Sequence, residues 1–240
     1  MKGILTGLSD IIFPPGCLTC DIILERHEQL PVCPTCYSKI KFITSPLCTC
    51  CGIPFSGADT SDHLCGDCTI SKPVYSVARA VGHYDATLLE AIHNFKYRGK
   101  TASGKILGRL MAGNDYPAVD FQEYTLTIPV PLHARRLRER GFNQSVILAR
   151  EIAREFHTPL DFLTLRRYIY TESQINLGKR ERESNVRGAF KIMNPEKIKD
   201  QRIILVDDVY TTGSTVKECA RLLLKEGASS VAVLTLARAV

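Results

Sequence analysis

The sequence predicts an α/β domain, a parallel sheet flanked by helices, preceded by a small cysteine-rich module. Three observations carry that prediction. The run Ile203-Ile204-Leu205-Val206 is apolar at consecutive positions, as in a strand buried on both faces of a parallel sheet. It leads into Asp207-Asp208-Val209-Tyr210-Thr211-Thr212-Gly213-Ser214-Thr215, two carboxylates and a hydroxyl-rich turn that opens a helix. Nine of the ten cysteines lie within the first 68 residues.

Length and charge set the bounds. At 240 residues the chain can hold one large domain or two modest ones, and 45% hydrophobic with 23% charged residues is a soluble globular composition. No apolar run approaches the ~18 residues of a membrane helix. Ile4 to Phe13 is interrupted by Ser9 and Asp10, and nothing after it resembles a signal-peptidase site, so a cytoplasmic location is expected. The net charge of +6 is uneven. Residues 1–75 carry five Lys/Arg against seven acids, a net −2, and the remainder therefore carries +8. A basic C-terminal domain suits a polyanionic ligand, either a pyrophosphate ester or nucleic acid.

Eight of the cysteines form four Cys-x-x-Cys pairs: Cys17/Cys20, Cys33/Cys36, Cys48/Cys51 and Cys65/Cys68. Twelve residues separate the first two pairs and thirteen the last two, so two short Cys₄ ribbons, each closing around tetrahedral Zn²⁺, are expected. A disulfide framework would need an oxidising compartment, and iron–sulfur ligands are usually more closely clustered. Gly52 and Gly66 fit tight knuckle turns. Cys50 crowds the third knuckle, where it could replace a ligand, and Cys219 reads as a core residue of the last helix. With four thiolates and no open position the metal would be structural, and each site adds a formal 2− to an already acidic module. That charge favours docking onto a partner or the second domain over gripping DNA. The module is expected over residues 1–72 and the second domain over 73–240.

Along the second domain, Tyr75 to Tyr84 alternates loosely, as a strand or hairpin. Leu88, Leu89, Ile92 and Phe95 have helical spacing and end in the basic run Lys96-Tyr97-Arg98-Gly99-Lys100. Gly99 to Lys105 is a near miss to a phosphate-binding P-loop, but the metal-binding hydroxyl is absent and a helix precedes it where a strand is required. Leu126 to Pro131 reads as a strand. Four arginines follow within six positions, Arg135, Arg136, Arg138 and Arg140, and a helix then runs to about Phe156. Such crowding suits an anion, although a solvated basic helix start accounts for it too. Thr171 to Phe190 is polar and charged.

The run at 203–215 carries the chemistry. Open α/β sheets place their ligand crevice at the carboxyl ends of the strands, where Asp207 and Asp208 sit. Free N–H groups and the helix dipole make the following turn a phosphate cradle, and carboxylates can accept hydrogen bonds from sugar hydroxyls. A phosphorylated sugar fits both. Thr215 and Glu218 have capping-box spacing. The helix carrying Val216, Cys219, Leu222 and Leu223 should end near Gly227, and Val231 to Leu236 should form the last strand.

This strand, acid pair and turn closely resemble the phosphoribosyl-pyrophosphate (PRPP) motif of type I phosphoribosyltransferases. The resemblance implies a type I phosphoribosyltransferase-like fold. It places Asp207 and Asp208 on the ribose 2′- and 3′-hydroxyls, and Thr211, Thr212, Gly213, Ser214 and Thr215 on the 5′-phosphate of Mg²⁺-PRPP. It also implies that Arg135, Arg136 and Arg140 contact pyrophosphate or a DNA phosphate, and that Thr171 to Phe190 is a mobile lid; an exposed helix over Glu181 to Val186 is the alternative. Taken with the paired Cys₄ ribbons and the block from Pro129 through Arg135-Arg136-Leu137-Arg138-Glu139-Arg140-Gly141-Phe142-Asn143-Gln144, the chain resembles the ComF/GntX family of competence-related proteins over essentially its whole length. That family implies handling of single-stranded DNA taken up by a bacterial cell, alongside a competence helicase and other DNA-processing factors, with any contact at the inner membrane face made through partners. Three readings stand at this point: a DNA-handling factor, with Phe142 and Tyr97 as the aromatic residues near the arginines; a transferase in which a nucleophile displaces pyrophosphate; and a PRPP sensor without turnover.

Overall fold

The computed structural model describes residues 16–24, 32–57, 60–97, 101–171 and 186–240. Its elements, in chain order, are α1 (Pro34–Tyr37), α2 (Gly66–Ile70), β1 (Val77–His83), α3 (Ala86–Tyr97), α4 (Thr101–Ala112), β2 (Leu126–Pro129), α5 (Ala134–Arg140), α6 (Gln144–Glu155), β3 (Leu165–Arg167), β4 (Phe190–Ile192), β5 (Arg202–Tyr210), α7 (Ser214–Lys225) and β6 (Ser230–Arg238). Four strands form a parallel sheet in the order β1-β6-β5-β2. β3 and β4 make a separate antiparallel hairpin.

The consecutive apolar residues of β5 and β6 follow from burial on both faces. Ile204, Val206, Ala232 and Leu234 join one core with α3, α4 and α6. Ile203, Leu205, Val231 and Val233 join another, with Val216, Cys219, Ala220 and Leu223 of α7 and with the β3–β4 hairpin. Each fully buried aliphatic side chain contributes roughly 1.5–3 kcal/mol, so β5, with four of them in a row, is the sheet's axis. Cys219 lies in this core as expected, its thiol pushed up by burial.

Several sequence expectations hold within a residue or two. Tyr75–Tyr84 is one strand and no hairpin. The strand expected to Pro131 leaves the ladder at Pro129, though the Val130 N–H still donates to the Val206 carbonyl at 2.8 Å. Others fail. Gly104 and Lys105 lie inside helix α4, an element the sequence reading missed. A Cβ on Gly104 would stand 2.3 Å from the Phe95 ring, and one on Gly108 2.8 Å from Glu151, so these glycines form the flat face onto which α3 and α6 close. The capping box does not form either. Gly213 is the N-cap of α7, Thr215 lies within the first turn, and the Glu218 carboxylate accepts from the Gly188 N–H at 2.9 Å and from Arg221. Gly66 opens α2 as ordinary helical backbone.

The cysteine module is fastened to the sheet by backbone contacts along β1. Ile43 N–H donates to Val81 O and His83 N–H to Lys41 O, both at 2.9 Å, and Ala78 N–H donates to Cys50 O at 2.7 Å. Arg79, buried, donates to the Pro117 and Thr49 carbonyls. Cys17, Leu18 and Leu24 enter the α3–α4–α6 core, whereas Cys48, Cys50, Cys51 and Cys68 enter the α7 core. The two ribbons thus clasp opposite faces of the sheet.

Candidate functional site

The carboxyl end of β5 and the turn into α7 form the site. Tyr210, the last residue of β5, is buried with its ring beneath the turn. Gly213 crosses that ring with φ +75°, and a Cβ there would stand 2.2 Å from the Tyr210 hydroxyl. Only glycine meets both the left-handed backbone and the close approach. Thr212 Oγ1 and Ser214 Oγ are hydrogen-bonded at 2.7 Å, which fixes the inside of the loop. Among the described residues no acceptor is found for the N–H groups of Thr211, Thr212 or Gly213, and they lie at the positive end of the 12-residue helix α7. The hollow they enclose with Asp207 is about 20 Å³, a surface cradle for one small anionic group.

The two carboxylates differ. Asp208 pairs with Lys96 Nζ at 2.5 Å, their side chains only 14% and 20% exposed. Burial would pull the Lys96 ammonium down, but Asp208 outweighs it and raises the group above its ordinary value. Asp207 Oδ1 accepts from Ser145 Oγ at 3.0 Å and from the Asp208 N–H at 2.9 Å. Burial, and then the neighbouring Asp208 charge, push its carboxyl up to about 7, against those hydrogen bonds and Lys96. One acid is therefore paired with a lysine while its neighbour titrates near neutrality. Lys96 was read only as part of a basic run, and Ser145 was not noticed at all. Both come from α3 and α6, brought to β5 by helix packing no local pattern reports.

The arginine block is a short helix, not an open loop. His133 caps it by accepting the Arg135 N–H at 3.2 Å, and Gly141 ends it with φ +80°. Arg135 and Arg136 gather at the Tyr170 ring, 4.5 and 6.0 Å from its centroid, and both face Glu139. Arg140 lies 5.4 Å over the Tyr97 ring and donates to Gln144 Oε1 at 2.7 Å. It therefore stands beside the residue that follows Lys96. Of the two aromatics singled out from sequence, Tyr97 is exposed, whereas Phe142 packs on Phe95 at 5.5 Å against the core. Tyr170 was missed because it lies 35 residues from Arg135 and 34 from Arg136 in sequence. Most of the expected lid, residues 172–185, falls outside the described residues, as does most of the alternative helix at Glu181–Val186; its ends are joined by the β3–β4 hairpin.

Cys17, Cys20, Cys33 and Cys36 form one tetrad, and Cys48, Cys51, Cys65 and Cys68 the other, the sulfurs of each lying within 4.8 Å of one another. Pairing is sequential, as expected. Zn–S bonds of about 2.3 Å in tetrahedral geometry place sulfurs about 3.8 Å apart. Cys20 and Cys33 are 3.8 Å apart, and Cys51 and Cys65 3.7 Å. The residues fit a tetrahedral metal of zinc size, and the arrangement suggests structural zinc. In each tetrad the first sulfur accepts two backbone N–H bonds, Cys17 from Thr19 and Cys33, Cys48 from Cys51 and Cys65. Burial raises both thiols, but backbone N–H groups win, those of Cys20, Cys33 and Thr19 bringing Cys17 to about 7 and those of Cys65, Cys51 and Cys50 bringing Cys48 to about 6. Cys50 is buried outside the tetrad, its thiol raised chiefly by burial. It serves instead through its carbonyl, bonded to β1.

Comparison with known proteins agrees with this anatomy. The Double zinc ribbon domain family matches residues 8–69, and the Phosphoribosyl transferase domain family matches residues 143–239. No helix among the described residues is long and apolar enough to cross a membrane. Glutamine phosphoribosylpyrophosphate amidotransferase from Bacillus subtilis superposes with TM-score 0.38 and 22% identity over 55% of this chain and 26% of that one, too slight a likeness to argue from. Whole-chain relatives are firmer. DNA utilization protein YhgH of Escherichia coli K12 is 34% identical over 86% of this chain and 90% of its own length. Competence protein F of Haemophilus influenzae is 32% identical over 87% and 90%, and competence protein ComFC of Bacillus subtilis 32% over 92% and 94%. With two cysteine tetrads clasping a type I phosphoribosyltransferase-like sheet, and such identity over nearly all of both chains, this protein belongs to the ComF/YhgH family of competence-related proteins.

Proposed function

We propose that this chain binds Mg²⁺-PRPP, or a closely similar sugar phosphate, at the β5–α7 turn and handles single-stranded DNA during natural competence. The observation carrying the first half is the juxtaposition of Asp207 and Asp208 with three N–H groups that find no acceptor among the described residues, at the start of α7. The acids would accept the ribose hydroxyls, and Thr211, Thr212, Gly213, Ser214 and Thr215 would hold the 5′-phosphate. Mg²⁺ bound with the ligand would supply charge neutralisation of its pyrophosphate. Lys96 pairs with Asp208, and Ser145 donates to Asp207, so both acids are positioned before a ligand arrives. The tetrads would each hold one structural Zn²⁺. Domain limits of 1–72 and 73–240 belong to the same proposal.

The second half rests on the cation–aromatic pairs. Arg140 over Tyr97, and Arg135 with Arg136 at Tyr170, set phosphate-binding charge beside ring faces on which bases can stack. The relatives' names, DNA utilization protein and competence protein, favour the same reading.

Two titrations test it. Mg²⁺-PRPP should raise the melting temperature of the wild type by linkage and leave the Asp207→Ala/Asp208→Ala double variant unmoved. No shift in wild type removes the sugar-phosphate half. Affinity for a short single-stranded oligonucleotide should fall steeply with salt, and Arg135→Ala/Arg136→Ala should flatten that slope by about two units. An unchanged slope removes the DNA half. Pyrophosphate release in the presence of nucleobases separates turnover from binding alone.

A further inference from the structure

We infer that the second cysteine tetrad and the anion-binding turn are energetically coupled, and that Arg238 is the positioning residue joining them. The ligand side of this inference rests on the reading of the turn as a sugar-phosphate site; the metal side does not.

The connection is a chain of direct contacts. Arg238, at the end of β6, is 6% exposed. Its Nη1–H donates to the Cys51 carbonyl at 2.7 Å, and its Nη2–H points at Cys51 Sγ, 3.5 Å away. The guanidinium lies 4.2 Å from the centroid of the Tyr210 ring, the residue across from it in the β5–β6 register. Tyr210 Oη shares a hydrogen bond of 2.8 Å with Tyr75 Oη, and its carbonyl accepts the Ala239 N–H at 2.9 Å. On the same ring rests Gly213, with no room for even a methyl group between them. Sulfur, guanidinium, ring and turn are thus packed in series. A cavity of about 800 Å³ is lined by Cys51, Cys65, Thr211, Thr212, Lys217 and Arg238.

Energetics give the chain a direction. A buried cation is tolerated only with a counter-charge and satisfied donors. Arg238 Nε already has no acceptor among the described residues, so the Cys51 carbonyl and sulfur are what hold the guanidinium. A metal-loaded tetrad of four thiolates is anionic and keeps it in place. Opening that tetrad strands the cation, which must move or draw in water, and the ring beneath Gly213 loses its support. By reciprocity, an anion that fixes the turn must also stabilise the loaded tetrad. The first tetrad has a different attachment: Leu18 and Thr19 bond Asn94 and Thr87 of α3, and among the described residues none of its cysteines bonds Arg238 or Tyr210.

The test uses the full chain and leaves Cys51 untouched. Cys65→Ser opens the second tetrad and Cys20→Ser the first. Amide hydrogen exchange at Lys217, whose N–H donates to Gly213 O, and at Ala239, whose N–H donates to Tyr210 O, should accelerate about tenfold, a typical coupling, in Cys65→Ser and stay at the wild-type rate in Cys20→Ser. Arg238→Met, with two equivalents of zinc still bound, should accelerate the same amides, and Arg238→Lys should recover part of the protection. Unchanged exchange at Lys217 and Ala239 in Cys65→Ser and Arg238→Met, or equal acceleration in Cys20→Ser, overturns the coupling. Should Cys65→Ser fail to fold, Arg238→Met and Arg238→Lys decide alone. In a second arm, Mg²⁺-PRPP should bind about tenfold more weakly to Arg238→Met than to wild type. Equal affinity overturns the coupling. Absence of binding to wild type removes the sugar-phosphate reading instead, and the exchange arm still decides the inference.

Discussion

Gly213 can be used to weigh the seating of the turn on Tyr210, because Gly141 supplies an internal reference. Both have positive φ, +75° and +80°. A Cβ on Gly141 would meet nothing within 4 Å, whereas one on Gly213 would stand 2.2 Å from Tyr210 Oη and 2.4 Å from Cζ. Gly141→Ala therefore reports the left-handed backbone alone, a loss of about 1 kcal/mol. Gly213→Ala adds the overlap with a buried ring, which is pinned on its other side by Arg238 and at its hydroxyl by Tyr75. Overpacking of this kind costs about 1–3 kcal/mol, so the total is about 2–4 kcal/mol. At about 3 °C per kcal/mol for a chain of this size, the melting temperature should fall about 3 °C for Gly141→Ala and about 6–12 °C for Gly213→Ala. Urea denaturation of both variants gives the same comparison as free energies. Equal losses would refute the seating, since only the backbone contribution would remain. Binding of Mg²⁺-PRPP should be abolished in Gly213→Ala and kept in Gly141→Ala.

Lys96→Met leaves the Asp208 carboxylate without its partner in a site little exposed to water, and should cost about 2 kcal/mol in urea denaturation. Lys96→Met/Asp208→Asn should recover at least half of that, and strict additivity would show that the pair is not coupled. Asp207 gives a pH signature. A carboxyl raised from 3.8 to about 7 on folding stabilises the native state in its neutral form below the unfolded value and loses that advantage as pH rises towards 7. Asp207→Asn should therefore gain more stability over wild type at pH 8 than at pH 4, and a pH-independent difference would contradict the raised value. A thiol-reactive reagent should release two equivalents of zinc, one per tetrad; release of one or none would exclude the paired sites.

What the sequence disclosed about this molecule and what it withheld divide along physical lines. The β5–turn–α7 unit was legible because its chemistry is contiguous: Ile203 to Val206 mark double-faced burial, Asp207 and Asp208 end the strand, and Thr211 to Thr215 form the turn. The tetrads were legible because metal-ligand spacing is also a local property. Lys96 and Ser145 were not, since each reaches the acid pair from a helix far away in sequence. Neither were β3 and β4, three residues each, too short to show a period. Helix α4 was hidden by the glycines that let its neighbours close on it. The Thr215/Glu218 spacing misled because Gly213 must cross the Tyr210 ring, and that fixes the helix start two residues early. The arginine cluster was read as following the strand in a loop, but it forms helix α5, and the neighbours that place its charges, Tyr97 and Tyr170, are far away in sequence.

β1 lies at one end of the parallel ladder, a position where unpaired amides invite other chains to add on. Here that margin is sealed from within: Lys41 and Ile43 bond one stretch of the strand and Cys50 another. A fragment beginning after residue 72 would keep every residue of the acid pair and its turn, yet expose this flank. Such a truncation should self-associate or precipitate, and the metal-binding segment thereby doubles as a selvedge that keeps the sheet from fraying into polymers.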